Sequence, residues 1–186
     1  MTGRFRLRQV ALALRAGAIV AYPTEAVYGL GCDPHDRQAF YRLLALKRRP
    51  DSKGVILIAA DTAQLAAYLG PISADIAARL HASWPGPVTW IAPASPQVPE
   101  WLTGGRDTIA VRVTAHPIAA ALCRAFGGPL VSTSANRSGS PPARSALRTR
   151  MLFGTGVDFV IGGPTGGLTR PTAIYDARSG KVIRPG

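Results

Sequence analysis

Cysteine is nearly absent from this chain of 186 residues, which has only Cys32 and Cys123, without CxxC or Cys/His spacing. This excludes a zinc knuckle and a disulfide framework and fits a reducing compartment. Long apolar runs are absent too. The N-terminal segment is basic and then apolar, as in a secretory signal, but Arg15 and Gly17 interrupt it well short of a signal core or of the roughly 20 residues of a membrane span. We therefore expect a cytoplasmic protein with no membrane attachment.

Acidic residues are scarce: ten Asp and Glu stand against 22 Lys and Arg, which gives a formal net charge of +12. Such an excess favours a polyanionic partner or a phosphate-bearing substrate. Charged residues make up only 17% of the chain and the arginines are scattered, which argues against a disordered basic tail. An arginine-rich protein without an anionic partner is the alternative reading.

Strand and helix patterns alternate along the chain without a strict βαβ rhythm. Hydrophobic periodicity predicts helices at residues 9–16, 36–46, 61–69, 73–81, 117–126 and 145–153. It predicts strands at residues 18–22, 55–59, 88–92, 108–113, 130–133, 157–161, 172–176 and 181–184. No linker or repeat divides the sequence. We expect one domain over residues 1–186, of the α/β class, with a twisted mixed sheet flanked by helices.

The segment PTEAVYGLG, residues 23–31, places a hydroxyl, a carboxylate and a phenol beside two glycines, directly after a predicted strand. A loop in this position can meet a ligand, and glycine lets backbone N–H groups approach closely. The order is neither that of a Walker A loop nor that of GxGxxG. Either a ligand-binding loop or an ordinary tight loop fits the segment.

Lys47, Arg48 and Arg49 end the second predicted helix, just before Pro50 and close to Lys53. Cations at a helix C-terminus complement the helix dipole, so a structural role is available. The same charge density can hold a triphosphate, for which arginine offers a planar bidentate fork. Both readings stay open.

The segment DTIAVRV, residues 107–113, alternates so that Thr108, Ala110 and Arg112 share one face and the apolar residues between them face the core. A buried arginine needs a partner. Arg112 therefore either lies at an exposed edge or binds an anion such as a substrate carboxylate.

The segment VSTSANRSG, residues 131–139, follows an apolar strand and concentrates hydroxyls and an amide. Ser132, Ser134 and Asn136 alternate to one side of an extended chain and offer neutral donors and acceptors to phosphate, ribose or adenine. A capping or turn role is the alternative.

No protein-held metal is predicted, because the three histidines, His35, His81 and His116, lack metal-ligand spacing. No local Ser/His/Asp or Cys/His signature is present either. Glu25 stays open between a general base and a structural group.

Taken in order, PTEAVYGLG, LKRRP, SWPGPVTW, DTIAVRV and VSTSANRSG resemble the YrdC-like threonylcarbamoyl-AMP synthases from about residue 8 to the end. The resemblance implies a nucleotidyltransferase that joins L-threonine, bicarbonate and ATP into threonylcarbamoyl-AMP with loss of pyrophosphate, normally with Mg²⁺. It further implies that tRNA-threonylcarbamoyl transferase machinery uses the product to modify tRNA.

The resemblance also assigns residues. Those implied for ATP are Lys47 with Arg49 (K-x-R), Ser134 with Asn136 (S-x-N), and Arg184. Lys47 and Arg49 would be catalytic, since with magnesium they would stabilise the departing pyrophosphate. Those implied for threonine are Thr24, Arg112, Thr133 and Thr172.

Two departures from the family pattern stand out. Many relatives have a Pro-Leu-Ile-x-His run after K-x-R-P, whereas this chain reads GVILI at residues 54–58 and lacks the histidine. Longer members add a linker and a second domain after RPG, whereas this chain stops at Gly186. We therefore expect the short bacterial form, which needs no second domain.

Two rival functions remain at this point. An RNA-binding module without adenylate-forming activity would use the net charge, the scattered arginines and Trp101 on a phosphate backbone. A carbamoyl-transfer domain from a larger maturation enzyme would bind a carbamoyl adenylate and ignore threonine. A direct contact with tRNA is compatible with the synthase as well.

Overall fold

Nine strands form one mixed sheet in the computed structural model, which describes residues 3–186. The strands are β1 (Val20–Pro23), β2 (Tyr28–Gly31), β3 (Ile56–Ala59), β4 (Val88–Pro93), β5 (Thr108–Val113), β6 (Leu130–Ser134), β7 (Phe159–Val160), β8 (Ala173–Asp176) and β9 (Val182–Arg184). Their order across the sheet is β7-β1-β2-β6-β3-β5-β4-β8-β9. The pairs β1–β7, β3–β5 and β4–β8 are parallel and the other neighbours antiparallel.

Six α-helices flank the sheet within the described residues: α1 (Arg4–Arg15), α2 (Arg37–Lys47), α3 (Ala74–Ser83), α4 (Glu100–Thr103), α5 (Pro117–Phe126) and α6 (Ala146–Phe153). Local chemistry sets several of their ends. The side chains of Asp36, Ser73 and Ser145 accept hydrogen bonds from backbone N–H groups three residues on, at 2.9, 3.3 and 3.1 Å. Helix α5 begins at Pro117 and ends at Phe126, and the next residue, Gly127, has a φ of 88° that suits a glycine C-cap.

The two faces of the sheet are covered unequally. One core lies between the sheet and α2 and α3, and it takes residues from each of the strands β1 to β7. The other core lies beneath α1 and α5 and takes its strand residues from β1, β3 and β6. Ala21 belongs to the first core and its neighbours Val20 and Tyr22 to the second, as the two-residue period of a strand requires. The half of the second face formed by β4, β5 and β8 is thus left without a helix over it.

The predicted fold class, an α/β fold with a twisted mixed sheet flanked by helices, is confirmed. The bounds predicted for residues 108–113 and 117–126 match β5 and α5. The helix predicted at residues 61–69 is wrong in type, because the structure forms a 3₁₀-helix over Ala63–Tyr68. Leu69, the next residue, is extended and forms a β-bridge with Ala94, so the helical segment ends before it.

Residues 28–31 were expected as a loop and form strand β2 instead. The segment 23–31 is therefore a hairpin, with a turn between β1 and β2. Glycine is needed at position 31 of this strand, because a Cβ there would lie 2.5 Å from the carbonyl oxygen of Val131. The short helix α4 was also not predicted.

Within residues 3–186 no helix combines the length and the apolar character that crossing a bilayer requires.

Candidate functional site

A cavity of about 580 Å³ opens on the half of the sheet that α1 and α5 leave uncovered. Ile56 of β3, Ala110 of β5, Ile91 of β4 and Ile174 of β8 contribute to its lining. Because alternate residues of a strand face the same side, the residues between them belong to the opposite core. The volume falls within the usual range for small-molecule sites.

The cavity gathers eight of the nine site residues that the sequence indicates. Those eight are Thr24, Arg49, Arg112, Thr133, Ser134, Asn136, Thr172 and Arg184. They come from strands or connections distributed over the whole chain, so the fold joins segments that are distant in sequence. The ninth, Lys47, is not among the lining residues.

Positive charge dominates the lining. Five cationic side chains contribute to it, Arg49, Lys53, Arg106, Arg112 and Arg184, while within residues 3–186 no Asp or Glu does. Desolvation, followed by the charges of Arg106 and Arg184, lowers the pKa of Arg49. Desolvation and the charge of Arg112 likewise lower the pKa of Arg184. The cavity is thus built to receive an anion.

Arg112 is buried, with 5% of its surface exposed, so the alternative of an exposed edge is wrong. Its Nη2 lies 3.6 Å from Oε2 of Glu25, and its Nη1 donates to Oγ1 of Thr172 at 2.7 Å. Glu25 is held in turn by the hydroxyl of Thr114 at 2.6 Å and by the N–H of Ala115 at 3.1 Å, both bonded to Oε1. This network fixes the guanidinium at the cavity wall. Sequence reasoning left Glu25 unassigned, and the structure gives it the role of a counter-charge.

Thr172 links two arginines of the site. Its hydroxyl accepts from Arg112, and its carbonyl oxygen accepts from Nη2 of Arg184 at 2.7 Å. Thr24 faces the same cavity and donates its hydroxyl proton to the carbonyl oxygen of Val27 at 2.7 Å. Because this bond uses the hydroxyl proton, Oγ1 of Thr24 can serve a ligand only as an acceptor.

The segment 162–168 is held against the β1–β2 turn by backbone contacts. The N–H of Gly166 donates to the carbonyl oxygen of Thr24 at 3.0 Å, and that of Leu168 to the carbonyl oxygen of Glu25 at 3.1 Å. A Cβ on Gly166 would lie 2.9 Å from the Cα of Glu25, so glycine is required at this close approach. The segment leads into Pro171 and Thr172, which line the cavity.

The two cations of the K-x-R motif, Lys47 and Arg49, lie in different surroundings. Arg48, the residue between them, caps α2 in the left-handed conformation with φ of 50°. Arg49 turns into the cavity, where its Nη2 donates to the carbonyl oxygen of Gly54 at 2.9 Å. Lys47 points behind the Ser134–Asn136 segment, with 2% of its surface exposed. Its ammonium donates to the carbonyl oxygens of Ser134 and of Asn136, the latter at 2.7 Å.

Two further cations of the lining are not among the nine assigned site residues. The sequence places Lys53 in the positive cluster with Lys47, Arg48 and Arg49, whereas sequence reasoning does not identify Arg106. Nη1 of Arg106 donates to the carbonyl oxygen of Thr103 at 2.9 Å and Nη2 to that of Ser52 at 2.5 Å. Arg106 directly precedes the segment 107–113, which the sequence analysis singled out, and this adjacency is the signal that could have indicated it.

A divalent metal has no carboxylate ligand among the described lining residues. Neither do residues 3–186 hold a cluster of three or more His, Cys, Asp or Glu suited to a metal ion. The oxygen donors are neutral hydroxyl, amide and carbonyl groups, and Mg²⁺ usually binds through substrate phosphates together with one or two carboxylates.

The sequence matches a known protein family. The model of the Sua5/YciO/YrdC family, which carries the description telomere recombination, matches residues 12–186. The chain is 60% identical over 183 residues to the threonylcarbamoyl-AMP synthase of Halorhodospira halophila, covering 98% of this chain and 96% of that protein. It is 58% identical over 186 residues to the threonylcarbamoyl-AMP synthase of Alkalilimnicola ehrlichii, covering 98% and 97%.

A solved structure has the same fold. The crystal structure of P. abyssi Sua5 complexed with L-threonine superposes with a TM-score of 0.93 at 34% identity. The match covers 99% of this chain and 55% of the Sua5 chain, so this chain spans little more than half of that protein's length. The family model, the relatives at 58–60% identity and the fold agree in one assignment: the chain belongs to the Sua5/YciO/YrdC family.

Proposed function

We propose that this chain is a threonylcarbamoyl-AMP synthase, a nucleotidyltransferase that makes L-threonylcarbamoyladenylate and pyrophosphate from L-threonine, bicarbonate and ATP. One observation carries the proposal: eight of the assigned site residues line the same cavity. Five cationic side chains contribute to its wall, three of them among those eight, and no Asp or Glu of residues 3–186 does. Relatives of nearly equal length that carry this name support it.

Threonine occupies the end of the cavity near the Glu25–Arg112 network in this proposal. The guanidinium of Arg112 binds the amino acid carboxylate, since a fixed fork suits that anion. Hydroxyls of Thr24, Thr133 and Thr172 surround it and offer donors and acceptors to its polar groups. The complex of P. abyssi Sua5 with L-threonine supports a threonine site in this fold.

ATP occupies the part of the cavity lined by Arg49, Arg184, Ser134 and Asn136. The arginines neutralise phosphate charge, and the hydroxyl and amide groups contact the neutral parts of the nucleotide. The cationic lining lowers the repulsion among three anionic groups, the triphosphate, bicarbonate and the threonine carboxylate.

The reaction then needs positioning more than a protein nucleophile. The threonine amine and bicarbonate give an N-carboxylate and water, and an oxygen of that carboxylate attacks the α-phosphorus of ATP. The bond from the α-phosphorus to the bridging oxygen breaks, and pyrophosphate leaves with the electron pair. Arg49 stabilises the negative charge that grows on the leaving group. Magnesium would be held by the substrate phosphates, since the described lining residues offer no carboxylate, and it would supply further charge stabilisation.

The proposed product serves the threonylcarbamoylation of tRNA in the cytoplasm, through transferase machinery that acts downstream. A direct RNA contact of this chain is compatible with its charge of +12. The rival RNA-binding module differs in needing no ATP turnover.

The test is pyrophosphate release from ATP and bicarbonate with magnesium, measured with L-threonine, with L-serine and without amino acid. We expect release to depend on threonine and bicarbonate. Release that ignores threonine would favour the carbamoyl-transfer domain. No release under any condition, with salt-sensitive RNA binding intact, would favour the binding module.

A further inference from the structure

The ammonium of Lys47 is saturated by protein acceptors. It donates to the carbonyl oxygen of Ser134, to the carbonyl oxygen of Asn136 at 2.7 Å and to Oδ1 of Asn136 at 3.1 Å. An ammonium has three protons, so all of its donors are used within one short segment. Only 2% of the residue is exposed.

The backbone of Lys47 holds the same segment from a second point. Its carbonyl oxygen accepts from the N–H of Ser138 at 2.9 Å. Side chain and main chain of one residue thus hold the chain on both sides of Asn136, at the C-terminus of α2.

These contacts fix the amide of Asn136. Its Oδ1 accepts from the Lys47 ammonium and from the hydroxyl of Ser134 at 2.6 Å, while its Nδ2 donates to the carbonyl oxygen of Ser140 at 2.6 Å. The two cavity-lining side chains, Ser134 and Asn136, therefore take their orientation from a group that does not itself line the cavity.

We infer that Lys47 is a positioning residue, which orients Ser134 and Asn136 for the nucleotide without contacting its phosphates, while cations of the lining neutralise the phosphate charge. This inference rests on the proposed function and departs from the phosphate-binding role that the K-x-R resemblance implies for Lys47. Arg49 keeps that role.

The conformation of α2's end explains how one motif serves two tasks. The left-handed turn at Arg48 separates the directions of its neighbours, so Lys47 faces the segment 134–138 and Arg49 faces the cavity. To reach a phosphate, the ammonium would have to break three hydrogen bonds and leave their acceptor oxygens without this partner, which is costly. Burial and the charge of Arg49 lower the pKa of Lys47 to about 8, as expected for an ammonium without a buried counter-ion.

The test compares the binding of ATP, ADP and AMP to the wild type, to Lys47→Met and to the matched variant Arg49→Met, by titration calorimetry. A residue that acts through Ser134 and Asn136 affects the shared part of the three nucleotides, so we expect Lys47→Met to weaken all three by the same factor, within about twofold. Arg49→Met should weaken ATP by at least ~10-fold more than AMP, as loss of a charged hydrogen bond predicts. A loss in Lys47→Met that grows with phosphate number as steeply as in Arg49→Met overturns the inference.

A second measurement on the wild type keeps the test valid if Lys47→Met does not fold. The chain has three lysines, Lys47, Lys53 and Lys181, so their side chains can be followed by carbon NMR of labelled lysine and assigned with Lys53→Arg and Lys181→Arg. A phosphate within contact distance raises a lysine pKa. We expect saturating ATP to leave the pKa of Lys47 within roughly 0.3 of its free value, whereas a rise of about one unit or more contradicts the inference. Absence of any nucleotide binding by the wild type would overturn the proposed function and the inference together.

Discussion

Replacing Glu25 by glutamine tests the electrostatic network on which the cavity wall depends. Glutamine keeps the shape of the side chain and an oxygen that can accept from Thr114 and Ala115, so the substitution removes charge and little else. Arg112 would then be buried, at 5% exposure, without its carboxylate partner.

The magnitude follows from the geometry of the pair. Unit charges 3.6 Å apart attract by about 5 kcal/mol at an effective dielectric constant of about 20. Breaking a buried pair by removing one partner costs roughly 3–5 kcal/mol. We expect Glu25→Gln to lower the free energy of unfolding by that amount and the melting temperature by roughly 6–20 °C for a chain of this size.

The assay is urea unfolding followed by far-ultraviolet circular dichroism, together with a thermal melt. Glu100→Gln is the matched control, since Glu100 is exposed and its change should stay within about 0.5 kcal/mol. A loss in Glu25→Gln no larger than in the control would refute the reasoning, because Arg112 would then not need its counter-charge.

Three further predictions concern backbone conformation and pH. Arg48→Gly should raise the free energy of unfolding by about 1 kcal/mol and Arg48→Val should lower it, because the position has φ of 50°; urea unfolding that ranks valine above glycine would contradict this. Gly31→Ala should lower the free energy of unfolding by more than ~2 kcal/mol, because its Cβ would lie 2.5 Å from the Val131 carbonyl oxygen. Gly29→Ala, whose Cβ would have its nearest atoms at 3.4 Å, should lower it by less than ~1 kcal/mol. Equal losses in urea unfolding would speak against a backbone clash at Gly31. Because the pKa of Lys47 falls from 10.5 to about 8 on folding, the unfolded chain binds more protons between these values, and stability rises with pH there. The wild type should therefore gain up to ~1.4 kcal/mol per pH unit relative to Lys47→Met in that window, and parallel stability curves would exclude the shift.

Features with a local cause were predictable from the sequence. The alternation of β5 and the bounds of α5 depend on residues within a few positions, and both are confirmed in the structure. Strand β2 was not predicted, because its two glycines lower strand propensity. The reason for Gly31 lies in Val131, a hundred residues away in the sequence, and no local pattern contains it.

The site was predictable as a set of residues and less so as an arrangement. The family resemblance indicated eight residues that line one cavity, because motif order carries information that single segments lack. The direction of Lys47 depends on the left-handed turn at Arg48 and on carbonyl oxygens near residue 135, which sequence alone does not bring together. Arg106 was missed as a cavity residue because a single cation outside the recognised segments is no motif, whereas Lys53 belonged to the positive cluster that the sequence indicated.

The uncovered half of the sheet separates the positions that determine stability from those that determine what is bound. Thr108 and Ala110 face the cavity, while Ile109 and Val111 between them face the core. Substitutions on the first pair reshape the binding surface over a floor held by strand hydrogen bonds, and substitutions on the second pair alter packing. Arg112 on the same face is an exception, because its ion pair with Glu25 also stabilises the fold. A search for variants that accept another amino acid should therefore randomise Thr108 and Ala110 and leave Arg112 and the core-facing positions of β5 unchanged.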